Sequence, residues 1–154
     1  MFTNFAKLKT IIYLLVFLIN KKMMEDKQII APMLHNFPGN RFYSNYFYDV
    51  DNHGYWKGHF FYNDILEYKA KNSFIAPVVH CTYMINSKSI PKLTYVDGSN
   101  DYEFVIFSKS ARQNLIGQYI CNKTFFGYLL HNNPGSDTLE HEVKILQKYN
   151  EVIL

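Results

Sequence analysis

His80 and Cys81 stand side by side inside the apolar run FIAPVVHCTYMINSK, residues 74–88. A neutral imidazole at a strand end can ligate a metal or bond a phosphate. A core histidine bonded to a neighbouring carbonyl needs no ligand at all. Further along, Asp101 opens an amphipathic stretch. A lone carboxylate there either takes a proton as a general base or caps the helix by accepting backbone N–H bonds. Tyr43, Ser44 and Asn45 fall in a loop after an apolar run, the place where an α/β sheet takes ligands. Ser and Asn offer hydrogen bonds and Tyr a stacking face, and the same groups serve turns and cores. Cys81 and Cys121 are too far apart for a Cys-x-x-Cys motif. They read as small hydrophobes of the core, as a disulfide, or as a nucleophile or metal ligand. Asn122-Lys123-Thr124 is an N-glycosylation acceptor pattern.

These residues need a scaffold, and the composition supplies one. A chain of 154 residues, 48% hydrophobic and 18% aromatic, fits one domain that buries roughly 70% of its unfolded surface. Disorder and low complexity are excluded. Sixteen Lys+Arg against 13 Asp+Glu give a net charge of +3. The cations are scattered, with no basic stripe to neutralise a row of phosphates, so nucleic acid is not an expected partner. The aromatic-basic stretch GYWKGHFFYND reads as ring packing beside solvated lysines.

The positioning elements follow from periodicity. KQIIAPML (27–34) is an apolar run closed by the turn-forming HNFPGN, a buried strand over 28–34 followed by a loop. RFYSNYFYDVD and GYWKGHFFYND flank Asn52-His53-Gly54 in the manner of a hairpin or excursion. The run 75–85 reads as one strand, with Val79, Cys81, Tyr83 and Ile85 on one side and Val78, His80, Thr82 and Met84 on the other. Both sides are mostly apolar, which places it centrally in a sheet. From Ser99 the period changes to that of a helix over 100–115. Ser99 or Asn100 caps it, Asp101 and Glu103 fill its first turn, Phe104, Phe107, Ala111 and Leu115 form its stripe, and Gly117 stops it. QYICN over 118–122 reads as a strand, FFGYLL follows, and a last helix over 138–150 opens with SDTLEHE. Alternating helices and strands argue for an α/β layered domain. At the N-terminus, IIYLLVFLI (Ile11–Ile19) follows Lys7 and Lys9. Nine apolar residues are fewer than the about 20 that span a bilayer, so no clear membrane span is read. No small-x-small cleavage site follows, and residues 1–26 read as a leading hydrophobic helix, with a signal-like segment the alternative.

Taken in order, IIAPML, YSNY, GYW, APVVHCTYMI, NDYEFVIFSKSAR, YICNKTFFGYL and DTLEHEV resemble the N-terminal glycosyltransferase-like domain of the procollagen galactosyltransferases, glycosyltransferase family 25. The likeness runs from about residue 10 to residue 150, and it is the ordered set that is specific. A weaker likeness exists to the accessory domain of procollagen lysyl hydroxylases, which leaves a non-catalytic interaction domain as the alternative function.

The resemblance implies a GT-A-like fold, a mixed sheet flanked by helices. It also implies a UDP-sugar donor with a divalent cation, often manganese, and transfer of galactose to hydroxylysine of a collagen-like acceptor in the endoplasmic reticulum lumen. In such enzymes an Asp-x-Asp at a strand end bridges metal and diphosphate, since hard carboxylate oxygens suit a hard cation. The family places it just upstream of the helix preceding the APML strand. In this chain that place falls before Met1, so the expectation is a partial domain: a fragment, a short isoform or a truncated gene, inactive when isolated, with no metal ligand assigned. Asp101 stands where the family carries an acidic pair, which makes it the candidate base for an inverting transfer. His80 matches the histidine of the family's PVVH, Cys81 stands where many relatives carry Ser, and Tyr43, Ser44 and Asn45 match its YSN, which implies contacts to sugar or ribose.

Overall fold

The structure is a computed structural model that describes residues 26–36 and 44–129. The leading helix expected over 1–26, the helix expected over 138–150, and Tyr43 lie outside the described residues.

Strand β1 (Ile29–Pro32) is buried along its whole length. An apolar, β-branched run of this kind loses least when both faces are covered, and β1 lies inside a four-stranded mixed sheet. It runs parallel to β9 (Gln118–Cys121), with Ile30 opposite Tyr119 and Ala31 opposite Ile120. On its other side it pairs antiparallel with β8 (Met84–Ile85), and β6 (Ser73–Ile75) lies antiparallel beyond β9. The order is β6-β9-β1-β8. The chain is α/β, as the alternating pattern implies.

Past Pro32 the parallel ladder steps out and resumes. Met33 N donates to Cys121 O, His35 N donates to Gly127 O, and β2 (His35–Asn36) then pairs parallel with β10 (Tyr128–Leu129). β3 (Tyr46–Phe47) pairs antiparallel with β7 (Val78–Val79). β4 (Asp49–Val50) and β5 (Trp56–Lys57) form the hairpin expected around Asn52-His53-Gly54.

Residues 75–85 are not the single central strand expected. They break into the end of β6, then β7 in a different sheet, then β8 back at the edge of the first. Pro77 removes one ladder donor, and Cys81 has φ of 66 with Thr82 N donating to His80 O, a γ-turn that reverses the chain. A second departure is α1 (Phe60–Leu66), where extended aromatic chain was expected. Tyr62, Ile65 and Leu66, at three- and four-residue spacing, bury one face.

Helix α2 (Glu103–Gln113) is shorter than the expected 100–115. Its N-cap is Tyr102, with no side-chain cap bond, so neither Ser99 nor Asn100 caps it. It ends at Asn114, and Leu115, with φ of 56, takes the left-handed position assigned to Gly117. Phe107 and Ala111 join the core against Ile29, Ile116 and Ile120, whereas Leu115 of the expected stripe is 88% exposed. Behind the helix, the Pro77 carbonyl accepts from Arg112 Nη1 at 2.6 Å and from Gln118 Nε2 at 3.0 Å, which locks α2 and β9 to the entry of β7.

Candidate functional site

Asp101 ends a run of side-chain turns in which Ser99 N donates to Asp97 Oδ1 and Asp101 N donates to Ser99 Oγ. It precedes the N-cap, and its carboxylate does not cap α2. Its Oδ1 accepts the hydroxyl of Tyr55 at 2.8 Å. That bond raises the Tyr55 phenol above its ordinary pKa, because it favours the protonated form beside a negative charge. No hydrogen bond to Oδ2 is found among the described residues.

From Asp101 a ribbon of rings leads to His80. Tyr55 meets Tyr102 at 6.4 Å between ring centroids, Tyr102 stacks on Phe104 at 5.6 Å, and Phe104 meets His80 at 5.1 Å, with Phe47 beyond. Tyr102 is 62% exposed, so the ribbon borders solvent. Asp101 and His80 are thus brought to one side of the molecule without direct contact between them. His80 Nδ1 lies 3.0 Å from Cys81 Sγ. Burial pushes that thiol up to about 11, although the residue as a whole is exposed, so Cys81 is a thiol at neutral pH and a poor nucleophile. Both cysteines are free, which removes the disulfide reading, and only Cys121 is the buried strand residue expected of both.

Ser44 and Asn45 are buried, and their side chains serve the backbone. Asn45 Nδ2 donates to Pro32 O and its Oδ1 accepts from Leu34 N, both at 2.8 Å. The carboxamide therefore replaces a neighbouring peptide along the stretch of β1 that β8 leaves unpaired. Ser44 Oγ donates to Leu34 O. These bonds favour the turn-and-core reading of Ser44 and Asn45 over sugar contacts. Asn122, expected to be a glycan acceptor when exposed, is 0% exposed and lies away from the ribbon, against residues 65–72.

The sequence does hold one Asp-x-Asp, Asp49-Val50-Asp51, in the β4–β5 hairpin, and sequence reasoning passed over it. Its carboxylates are engaged. Asp49 Oδ2 pairs with Lys57 Nζ at 3.2 Å, and Asp51 Oδ1 accepts from His53 N and Tyr55 N. Those partners hold both carboxyls below their ordinary range, the Lys57 bond leading for Asp49 and the Tyr55 amide for Asp51. No three His, Cys, Asp or Glu side chains converge on a metal position among the described residues. The described donor set therefore does not fit the divalent cation that the fold family implies. Tyr55 was also missed, and no local pattern announces it, since its partner lies 46 residues away.

The mixed α/β sheet and the ordered motifs along it define a glycosyltransferase-like domain. Residues 10–150 match glycosyltransferase family 25, N-terminal domain, and the chain belongs to that family. It is 32% identical over 135 residues to procollagen galactosyltransferase 2 of Mus musculus, covering 83% of this chain and 21% of that protein. Procollagen galactosyltransferase 1 of Danio rerio is 32% identical over 131 residues, 80% of this chain and 21% of the relative. A glycosyltransferase 25 family member of Drosophila melanogaster is 28% identical over 145 residues, 82% and 23% respectively. The chain spans about a fifth of the length of these relatives.

Proposed function

We propose that this domain takes part in galactose transfer from UDP-galactose to hydroxylysine of a collagen-type acceptor in the endoplasmic reticulum lumen, with Asp101 as the general base. The observation that carries the reading is the Asp101 carboxylate, held by Tyr55 through Oδ1 and with no hydrogen bond to Oδ2 among the described residues, beside an aromatic border. The acceptor oxygen attacks the anomeric carbon, the bond from that carbon to UDP breaks with its electron pair leaving on UDP, and Asp101 Oδ2 takes the hydroxyl proton. A divalent cation, when bound, offsets charge on departing UDP. The described residues supply no set of ligands for it, and no step here runs through it.

A non-catalytic accessory domain is the second reading, favoured by Ser44 and Asn45 spending their side chains on the backbone of residues 32–34. One experiment separates the two. This chain replaces the matching segment of mouse procollagen galactosyltransferase 2, and transfer to a hydroxylysine peptide is measured. The catalytic reading expects turnover that falls by roughly 100- to 10,000-fold in Asp101→Asn. Turnover that ignores Asp101→Asn supports the accessory reading.

A further inference from the structure

Asp101 sits in a loop of successive turns rather than on a helix or strand. A reacting carboxylate in such a place needs outside support, since small misplacements cost large factors in rate. The support comes from the hairpin. Asp51 and Tyr55 share two hydrogen bonds: Asp51 N donates to Tyr55 O, and Tyr55 N donates to Asp51 Oδ1, each at 2.9 Å. The same Oδ1 accepts His53 N, and Asp51 O accepts Gly54 N. Four bonds from one aspartate thus close the turn. The turn is seated on α2, because a Cβ at Gly54 would meet Val105 Cγ1 at 3.3 Å and Arg112 Nη2 at 3.0 Å. From that seat the Tyr55 hydroxyl reaches the loop just ahead of the helix N-terminus and donates to Asp101 Oδ1.

We infer that Asp51 and Tyr55 are a positioning relay for Asp101: Asp51 fixes the Tyr55 backbone, and the Tyr55 hydroxyl fixes the carboxylate ahead of α2. The inference rests on the reading of Asp101 as the acting carboxylate. It makes the chain's Asp-x-Asp a builder of the turn rather than a clamp for a cation. In a clamp the carboxylate charge is essential. In an Asx-type turn only an acceptor oxygen is needed, and asparagine supplies one.

The two roles separate in Asp51→Asn against Asp51→Ala, read by NMR on the 154-residue chain. With the relay, Asp51→Ala shifts the amide resonances of residues 101–103 and lowers the Tyr55 phenol towards an ordinary tyrosine value, whereas Asp51→Asn leaves both in place. Tyr55→Phe reproduces the amide shifts, and the methyl resonances of Ile30 and Ile120 report that the sheet is intact. Manganese chloride should broaden the amides of residues 49–51 no more than those of other exposed acidic residues. Selective broadening there, or an Asp51→Asn chain that behaves as Asp51→Ala, overturns the relay. In the mouse chimera, Tyr55→Phe lowers kcat by roughly tenfold with the donor KM unchanged, about the 1.4 kcal/mol of one charge-assisted bond. A changed KM at constant kcat also overturns it. Should Asp101→Asn leave transfer intact while Asp51→Asn keeps in place the resonances that Asp51→Ala shifts, the base reading fails and the structural relay stands.

Discussion

Asn122 donates its side-chain amide to the Ala70 carbonyl at 2.7 Å, across 52 residues of sequence. Its second amide hydrogen goes to Ile65 O at 2.8 Å, and its Oδ1 accepts Asn72 N at 2.8 Å. One carboxamide therefore closes the segment between α1 and β6 against the end of β9.

A glycan on Asn122 must replace one of those hydrogens and displace a carbonyl from a fully buried position. The sequon is closed by folding, and the folded protein should carry an unmodified Asn122 even when made through the secretory pathway. Intact-mass and peptide mapping of the native material check this. Asn122→Ala leaves the Ala70 carbonyl and the Asn72 N–H without partners, each costing about 1–3 kcal/mol, while Ile65 O keeps the Tyr68 amide. Urea unfolding should show a loss of at least about 2 kcal/mol, and a neutral result would mean that the amide does not hold this segment.

His35 provides a pH prediction. It stacks on Tyr68 at 5.0 Å and tilts against Phe125, and its Nε2 is buried with no hydrogen-bond partner among the described residues. Lys71 lies over the other ring of that stack, Tyr68, at 5.5 Å. Burial lowers the His35 pKa from 6.5. The unfolded chain then takes up a proton that the folded chain refuses, so this contribution is complete above pH 6.5 and shrinks as pH falls below it. Denaturant midpoints compared at about pH 7.5 and about pH 5.5 should fall with acid, and His35→Phe should flatten the dependence. An equal slope in the variant would assign the acid loss elsewhere.

What was legible in the sequence follows the range of the signal. β1, β9 and the body of α2 were readable because their apolar runs are continuous or helically spaced, and burial then acts as the pattern implies. The break at Cys81 was not readable: HCTYMI alternates as a strand does, and only the γ-turn at a non-glycine residue contradicts it. Helix α1 did carry a legible three-four spacing at Tyr62, Ile65 and Leu66, overruled by aromatic content that suggests strand. Its N-cap, His59, is an unusual capping residue, with Nδ1 accepting from Phe61 N. At the candidate site, Asp101 stands out because it falls where the family carries an acidic pair, although it lies ahead of the N-cap Tyr102 and not in the first helical turn. Tyr55 does not stand out, because its role exists only after the hairpin folds onto α2. Asn45 is open in the sequence to both a ligand and a core role, because its amide groups are equally suited to a sugar and to a gap in a β ladder, and the fold uses them on Pro32 and Leu34.

Gly54 has φ of 93, a conformation that costs a side-chain-bearing residue on the order of 1–2 kcal/mol. A methyl group there also presses on Arg112, whose guanidinium is anchored at Pro77. Gly54→Ala should destabilise the chain by about 2 kcal/mol or more in urea unfolding. Because the two residues share one contact, Arg112→Ala and Gly54→Ala should be non-additive. Additive losses would show that the turn is not seated on Arg112.

The last prediction concerns activity, and it follows from where the carboxylates are committed. Asp49 is paired with Lys57 and Asp51 closes a turn, so the described residues gather no ligand set for a cation that would offset charge on departing UDP. Losing one preorganised stabilising contact costs on the order of 100- to 1000-fold in rate. The 154-residue chain alone should therefore give no detectable galactose transfer to hydroxylysine peptides, while the chimera with the mouse relative regains it. In that chimera Asp101→Asn should lower turnover far more than His80→Gln, because His80 is held among Phe47, Phe104 and Cys81 and lies rings away from the carboxylate. Manganese-dependent turnover of UDP-galactose by the isolated chain would show that a cation site forms despite the committed aspartates. A His80→Gln loss equal to that of Asp101→Asn would move the reacting centre to the other end of the aromatic ribbon.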